Sequence, residues 1–145
     1  METLIAQLLR QSLVLAILCL STAITNAAIG TVTEQTGPTE IKRNKDTIPS
    51  ELQSPVEMND TVTTANAKAG ITFEDQTQVH ITEQSKLVID NFVYDSNKGA
   101  GKLAVKIALG TVKYTSGQIA KNDPQQVKVE TPSATIGVKI GRAHV

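Results

Sequence analysis

The sequence predicts an all-β domain, a sandwich or stacked-sheet fold of short antiparallel strands that follows an N-terminal signal peptide. The clearest observation is a series of three alternating segments, Gly70–Glu74, Gln78–Thr82 and Lys86–Asp90, which begin about eight residues apart and are separated by turn-forming residues. Thr and Val are frequent, which favours strands. A chain of 145 residues has room for one such domain.

Residues 1–27 have the pattern of a signal peptide for export. Arg10 precedes the apolar core Ser12–Leu20, and Thr25 and Ala27 occupy the small-residue positions before a cleavage site. Cleavage is therefore predicted after Ala27, which leaves residues 28–138 as a periplasmic or secreted domain. The alternative is an uncleaved membrane anchor, and the sequence predicts no other contact with a membrane.

The first half of the domain alternates between extended and irregular segments. Ala28–Thr33 and Thr39–Arg43 are predicted strands, and Asp60–Thr64 is a strand entered from a turn. Asn44–Pro55 is polar and contains two prolines, so an irregular loop is predicted there, with Leu52 as its apolar anchor.

The segment from Phe92 to Leu109 contains the one ambiguous element of the chain. Phe92–Tyr94 is predicted to continue the third strand beyond a kink at Asn91. Lys102–Leu109 contains good helix formers, but its apolar residues recur with a period of two, which predicts a strand with Leu109 on the inward face.

The C-terminal part contains further short strands. Gly110–Tyr114 is a predicted strand, Asn122–Gln125 a turn, and Val127–Val129 and Ala134–Val138 are strands on either side of a Thr-Pro pair. The inward face of all the strands should form the core, which is predicted to contain Val62, Phe73, Val79, Ile81, Leu87, Ile89, Val105, Ile107, Val112 and Ile136.

Composition narrows the classes of partner. The chain has 14 Lys and Arg against 14 Asp and Glu, without a run of either sign, so no broad field favours nucleic acid or anionic lipid. The few aromatic residues are not interleaved with basic ones, as a nucleic-acid platform requires. Lys42, Arg43 and Lys45 are expected to form a small solvated patch, and contact with an anion or a cell-envelope glycan is the alternative. The expected partner is an unidentified protein or cell-envelope ligand, and no nucleic acid.

No pattern for catalysis, cofactor binding or metal binding is present. His80 lies between two apolar residues of a strand and is expected to be an exposed histidine without metal-ligand neighbours. The carboxylates of Glu74 and Asp75 are expected to point apart in a solvated turn, which does not suit acid–base chemistry. A nucleophile elbow is also missing. The sequence therefore predicts a protein that is not an enzyme, and an enzyme of unknown type is a remote alternative.

An ordered set of short motifs runs through the predicted domain. The set begins with a Gly-x-Val strand and an Asp-x-Val-x-Thr element, continues through an acidic turn and a second Gly-x-Val strand, and ends with Val-x-Thr-Pro-x-Ala-x-x-Gly-Val. In this order the motifs resemble the FecR domain, the periplasmic module of bacterial regulators. The motif positions, for which the resemblance implies structural roles, are Gly30, Val32, Asp60, Val62, Thr64, Asp75, Gly110, Val112, Thr131, Pro132, Ala134, Gly137 and Val138.

The resemblance implies a non-enzymatic exported module that binds protein or cell-envelope material. A FecR-type periplasmic regulator is the alternative, but control of a sigma factor is not expected, because only about ten residues precede the apolar stretch. Residues 139–145 are predicted to be a non-native tail after a truncated domain. Lys139 departs from the motif, and Ile-Gly-Arg-Ala-His-Val can be encoded by ATCGGAAGAGCACACGTC, which resembles a sequencing-library adapter.

Overall fold

Two β-sheets pack face to face around one apolar core, which confirms the predicted all-β sandwich. The computed structural model describes residues 2–7, 27–132, 135–137 and 142–144, with side chains described as far as residue 132. Residues 2–7 are helical. Within the described residues, no helix has the length and apolar character needed to cross a membrane. Most of the predicted signal peptide lies outside the described residues.

Thirteen strands are described. In chain order they are β1 (Gly30–Gln35), β2 (Thr39–Arg43), β3 (Asp46–Ser50), β4 (Pro55–Val56), β5 (Thr61–Thr64), β6 (Ala69–Phe73), β7 (Gln78–Ile81), β8 (Lys86–Asp95), β9 (Ala100–Leu109), β10 (Val112–Thr115), β11 (Val127–Glu130), β12 (Thr135–Gly137) and β13 (Arg142–His144).

The chain passes repeatedly between the two sheets. Sheet 1 has the order β13-β10-β7-β6-β1-β4, and sheet 2 has the order β12-β11-β9-β8-β5-β2-β3. Only hairpins such as β6–β7 and β8–β9 join strands that are neighbours in both sequence and space. Most other connections cross from one sheet to the other, so each sheet is assembled from distant parts of the chain.

The predicted core is confirmed wherever side chains are described. Nine of the ten predicted residues are at most 1% exposed, and the side chain of Ile136 lies outside the described part. Phe73 of sheet 1 stacks on Phe92 of sheet 2, with ring centroids 5.4 Å apart. This contact joins the inner faces of the two sheets directly.

The long hairpin β8–β9 forms the centre of sheet 2. The predicted kink is present as a shift of register between Ile89 and Asn91, after which Phe92 faces the core. The period of two correctly identified β9 as a strand. The prediction for Leu109 was wrong: this last residue of β9 is 60% exposed, because the neighbouring Gly110 turns the chain away from the core.

The predicted irregular loop between Asn44 and Pro55 is wrong. A two-residue turn at Asn44, where φ is 56°, joins β2 to β3, because Asn tolerates the left-handed conformation that such turns use. Pro49 fits within β3 because that strand is at the edge of sheet 2, where one side needs no backbone donor. Leu52 is no anchor, since it is 58% exposed.

Two further features of the C-terminal part differ from the sequence prediction. A short helix, Gln118–Asn122, precedes a 3-10 turn at Pro124–Gln126, where only a turn was predicted. In addition, β11 pairs with β9 in parallel, so sheet 2 is mixed rather than purely antiparallel. The parallel pair is possible because the chain crosses to sheet 1 through β10 and returns through the short helix.

Candidate functional site

Asp60, one of the motif residues, anchors a largely buried ionic cluster at the turn before β5. Its side chain is fully buried and accepts hydrogen bonds from Nε and Nη2 of Arg43 at 2.9 and 2.7 Å and from the backbone N–H of Glu57 at 2.8 Å. The Glu57 carboxylate pairs with Nη1 of Arg43 at 2.8 Å. The hydrogen bond to Asp60 raises the pKa of Arg43 above its ordinary value. The predicted solvated patch is therefore wrong for Arg43, whose charge is used to join β2 to the turn before β5.

Asp75 forms a second buried polar centre. The prediction that it lies in a solvated turn was wrong, because it is fully buried, while its neighbour Glu74 is exposed. Its carboxylate accepts hydrogen bonds from the Thr77 hydroxyl at 2.7 Å, the Thr77 N–H at 3.1 Å and the Ile119 N–H at 3.2 Å. Burial raises the pKa of the nearby Tyr114, and the Asp75 charge acts in the same direction. Asp75 thus attaches the short helix to the β6–β7 turn.

Thr64 and Gly110 belong to a third connection, which centres on the buried Ser85. The Thr64 hydroxyl donates to the carbonyl of Thr82 at 2.6 Å and accepts from the N–H of Ser85 at 3.0 Å. Gly110 has a φ of 87°, and a Cβ added there would lie 2.1 Å from the Ser85 hydroxyl oxygen. Only glycine fits both the conformation and the space.

The remaining motif residues also have structural positions. Gly30 lies opposite Phe73 in the β1–β6 register, and Gly137 lies opposite Lys128 in the β11–β12 register. Thr131 and Pro132 follow directly after β11. Val32, Val62 and Val112 lie in the core, and Ala134 and Val138 lie outside the described residues. The motif therefore describes the framework of the fold, and a functional surface has to be sought elsewhere.

A row of polar side chains, interrupted by one glycine, crosses the outer face of sheet 1. The strand registers place Glu34 of β1, Gly70 of β6, His80 of β7 and Lys113 of β10 side by side. Because side chains alternate between the two faces of a sheet, and Ile71, Val79 and Val112 point inward, this row faces away from the core.

The row surrounds a cavity of about 500 Å³, which we call the notch; its lining includes Glu34, Lys68, His80, Thr82 and Lys113. The Oε2 atom of Glu34 lies 3.3 Å from Nε2 of His80. Gly70 makes this approach possible, since a Cβ there would lie 2.7 Å from Cδ2 of the His80 ring.

The charged side chains around the notch differ in whether they form ion pairs. Lys68 pairs with Glu83 at 3.5 Å, and both side chains are more than half exposed. Lys113 is exposed, and no ion pair joins it to another residue in the part of the chain whose side chains are described. The notch therefore has an acidic side at Glu34 and a basic side at Lys113.

Sequence reasoning did not identify this notch. His80 was predicted to face outward, which is confirmed, but its side chain is only 29% exposed and contacts Glu34. Glu34, Lys68 and Lys113 carry no local sequence signal for such a site. They are far apart in sequence, and the only hint, a glycine in the strand next to that of the histidine, acquires meaning only when the register is known.

A family model described as FecR protein matches residues 59–145, which include Asp60, Asp75, His80 and Lys113. No match was found among curated proteins or among solved structures.

Proposed function

Because the chain belongs to the FecR family, we propose that it is a non-enzymatic exported module that binds protein or cell-envelope material through the outer face of sheet 1. The periplasm or the cell exterior is its proposed location. The family match supports the fold, and the binding role and the location are proposed in addition.

The observation that supports binding at this face is the separation of polar residues into two groups. The buried polar residues of the motif, Asp60, Thr64 and Asp75, are occupied by hydrogen bonds within the fold. At the notch, by contrast, charged groups of both signs converge at the surface around a cavity. Pockets with a few convergent polar groups are the usual form of a ligand site.

Export is tested by sequencing the N-terminus of the protein recovered from the envelope fraction. We expect the mature chain to begin at Ala28, because Thr25 and Ala27 fit the small-residue positions before a cleavage site. An intact Met1 in the fractionated protein would contradict the proposal of a cleaved signal.

Binding is tested by photocrosslinking in cells. A photoreactive amino acid replaces Gln78, which is exposed on the outer face of sheet 1 in the same strand as His80. The matched control carries it at Lys102, which is exposed in β9 of sheet 2. We expect a discrete crosslinked species only from position 78, and equal patterns from both positions would refute a binding role for sheet 1.

The FecR-type regulator is the second candidate, and the family alone suggests it. The same crosslink distinguishes the two roles by the nature of the captured species. A membrane regulator captured at position 78 would favour a relay in signal transduction, whereas envelope polymer or a soluble envelope protein would favour a simple binding module.

A further inference from the structure

We propose that the notch binds a short peptide by both of its free ends, with the amino group at Glu34 and the carboxylate at Lys113. The inference deepens the proposed binding function and rests on it, because it specifies the ligand class for the same surface. Three observations support it: the opposite charges at the two sides of the notch, the distance between the strands that carry them, and the ion pairs that the charged residues already form.

The polarity follows from the strand order. Glu34 and Lys113 lie on the first and last of four neighbouring strands, β1, β6, β7 and β10. Adjacent strands are about 4.8 Å apart, so the two backbones are about 14 Å apart. Both residues line the same cavity, and they lie on the two outer strands of this group of four. A ligand that contacts both therefore needs a positive and a negative group separated by several ångströms.

The length of the ligand follows from that width. An extended chain spans about 3.3–3.6 Å per residue, so two or three residues place the terminal charges about 7–10 Å apart. This distance is shorter than the separation of about 14 Å between the two backbones, which leaves room for the side chains that line the cavity. A single α-amino acid is too short to contact both sides.

His80 and Gly70 position the acidic side. The imidazole Nε2 lies 3.3 Å from the Glu34 carboxylate, which is itself 70% exposed and accessible to a donor from a ligand. The ring lies over Gly70, where it forms part of the wall. His80 is thus a positioning residue, since its role is to hold Glu34 at the edge of the notch.

The charge balance favours a zwitterionic ligand over a simple anion. Lys68 forms an exposed ion pair with Glu83 at 3.5 Å, so part of its charge is balanced within the chain. The exposed carboxylate of Glu34 and the ammonium of Lys113 remain as the groups of opposite sign on the two outer strands of the row. An inorganic anion would use only the basic side and would be repelled by Glu34.

The experiment combines three probes with three variants. The probes are trialanine, its N-acetylated form and its C-terminal amide, titrated into the full chain and followed by amide chemical shifts and calorimetry. The variants are Glu34→Gln, Lys113→Met and the control Lys102→Met in sheet 2. Thermal melts check that each variant is folded, which is expected because all three side chains are exposed.

Each substitution should weaken binding only of the probes that still carry the group which the replaced side chain contacts. Glu34→Gln and Lys113→Met should each weaken binding of trialanine about tenfold, which corresponds to about 1.4 kcal/mol. Glu34→Gln should leave binding of the acetylated peptide unchanged, because that peptide has no free amino group to contact Glu34. Lys113→Met should leave binding of the amide unchanged, because that peptide has no carboxylate to contact Lys113. Lys102→Met should have no effect on any probe.

Two results would overturn the inference. Equal binding of trialanine and its acetylated form, with no effect of Glu34→Gln, would show a simple anion site at Lys113. No shift at the notch with any probe would show that short peptides are not ligands. Neither result affects the crosslinking test at position 78, so failure of this inference and failure of the proposed function can be told apart.

Discussion

Replacing Arg43 by methionine should destabilise the domain by about 2–4 kcal/mol. The substitution removes two charged hydrogen bonds from the fully buried carboxylate of Asp60 and leaves it with the backbone N–H of Glu57. Removing one partner of a buried ion pair costs about 3–5 kcal/mol. The Arg43 side chain is 23% exposed, so water can replace part of the lost contact, and the expected loss is therefore about 1 kcal/mol below that range.

The assay is urea unfolding at neutral pH, and Lys42→Met is the control. Lys42 is the exposed neighbour in the same strand, and its substitution should change the free energy of unfolding by no more than about 0.5 kcal/mol. The double variant Arg43→Met with Asp60→Asn should lose less than the sum of the two single losses, because the buried charge is then absent. Equal losses for Arg43→Met and Lys42→Met would refute the buried ion pair.

Three further predictions concern the core, a turn and alkaline stability. Ile107→Ala should lower the free energy of unfolding by about 2–5 kcal/mol in chemical denaturation, because the side chain is 1% exposed. The control is Lys106→Ala at the adjacent, exposed position, which should cost no more than about 0.5 kcal/mol. Equal losses at the two positions would mean that the strand period is wrong. Gly110→Ala should lower the melting temperature clearly, because the new Cβ overlaps Ser85 at a φ of 87°; an unchanged melting temperature would contradict this geometry. The raised pKa of Tyr114 means that its contribution to stability is complete below its ordinary value of 10.0 and is lost as the pH rises through the folded-state pKa. Tyr114→Phe should therefore lose less stability than the parent between about pH 9 and about pH 11 in urea titrations, and an identical pH dependence would contradict the prediction.

The strand pattern was predictable because each strand carries its own signal. The alternation in segments such as Gln78–Ile81 is local, and a period of two directly identifies which residues face the core. The same local information identified the kink near Asn91 and distinguished β9 from a helix.

The polar centres and the notch were not predictable, because they depend on residues that meet only in the folded chain. Asp75 is buried because the N–H of Ile119, 44 residues later, supplies one of its hydrogen bonds. The pairing of His80 with Glu34 requires the registers of β1, β6 and β7, and a shift by one residue would move either side chain to the other face. Sequence patterns identify faces of strands but not the register between them.

The repeated passage of the chain between the two sheets has a consequence for how the domain folds. Since neither sheet is built from a continuous stretch of sequence, local hairpins such as β8–β9 can form early, but most strand pairs must wait for a distant partner. Topologies dominated by such non-local pairs fold slowly, on the order of milliseconds to seconds. Separating the two sheets would disrupt the packing of segments from the whole length of the chain, so partial unfolding of a single sheet is disfavoured. We therefore expect the sandwich to fold slowly and to unfold in one cooperative transition.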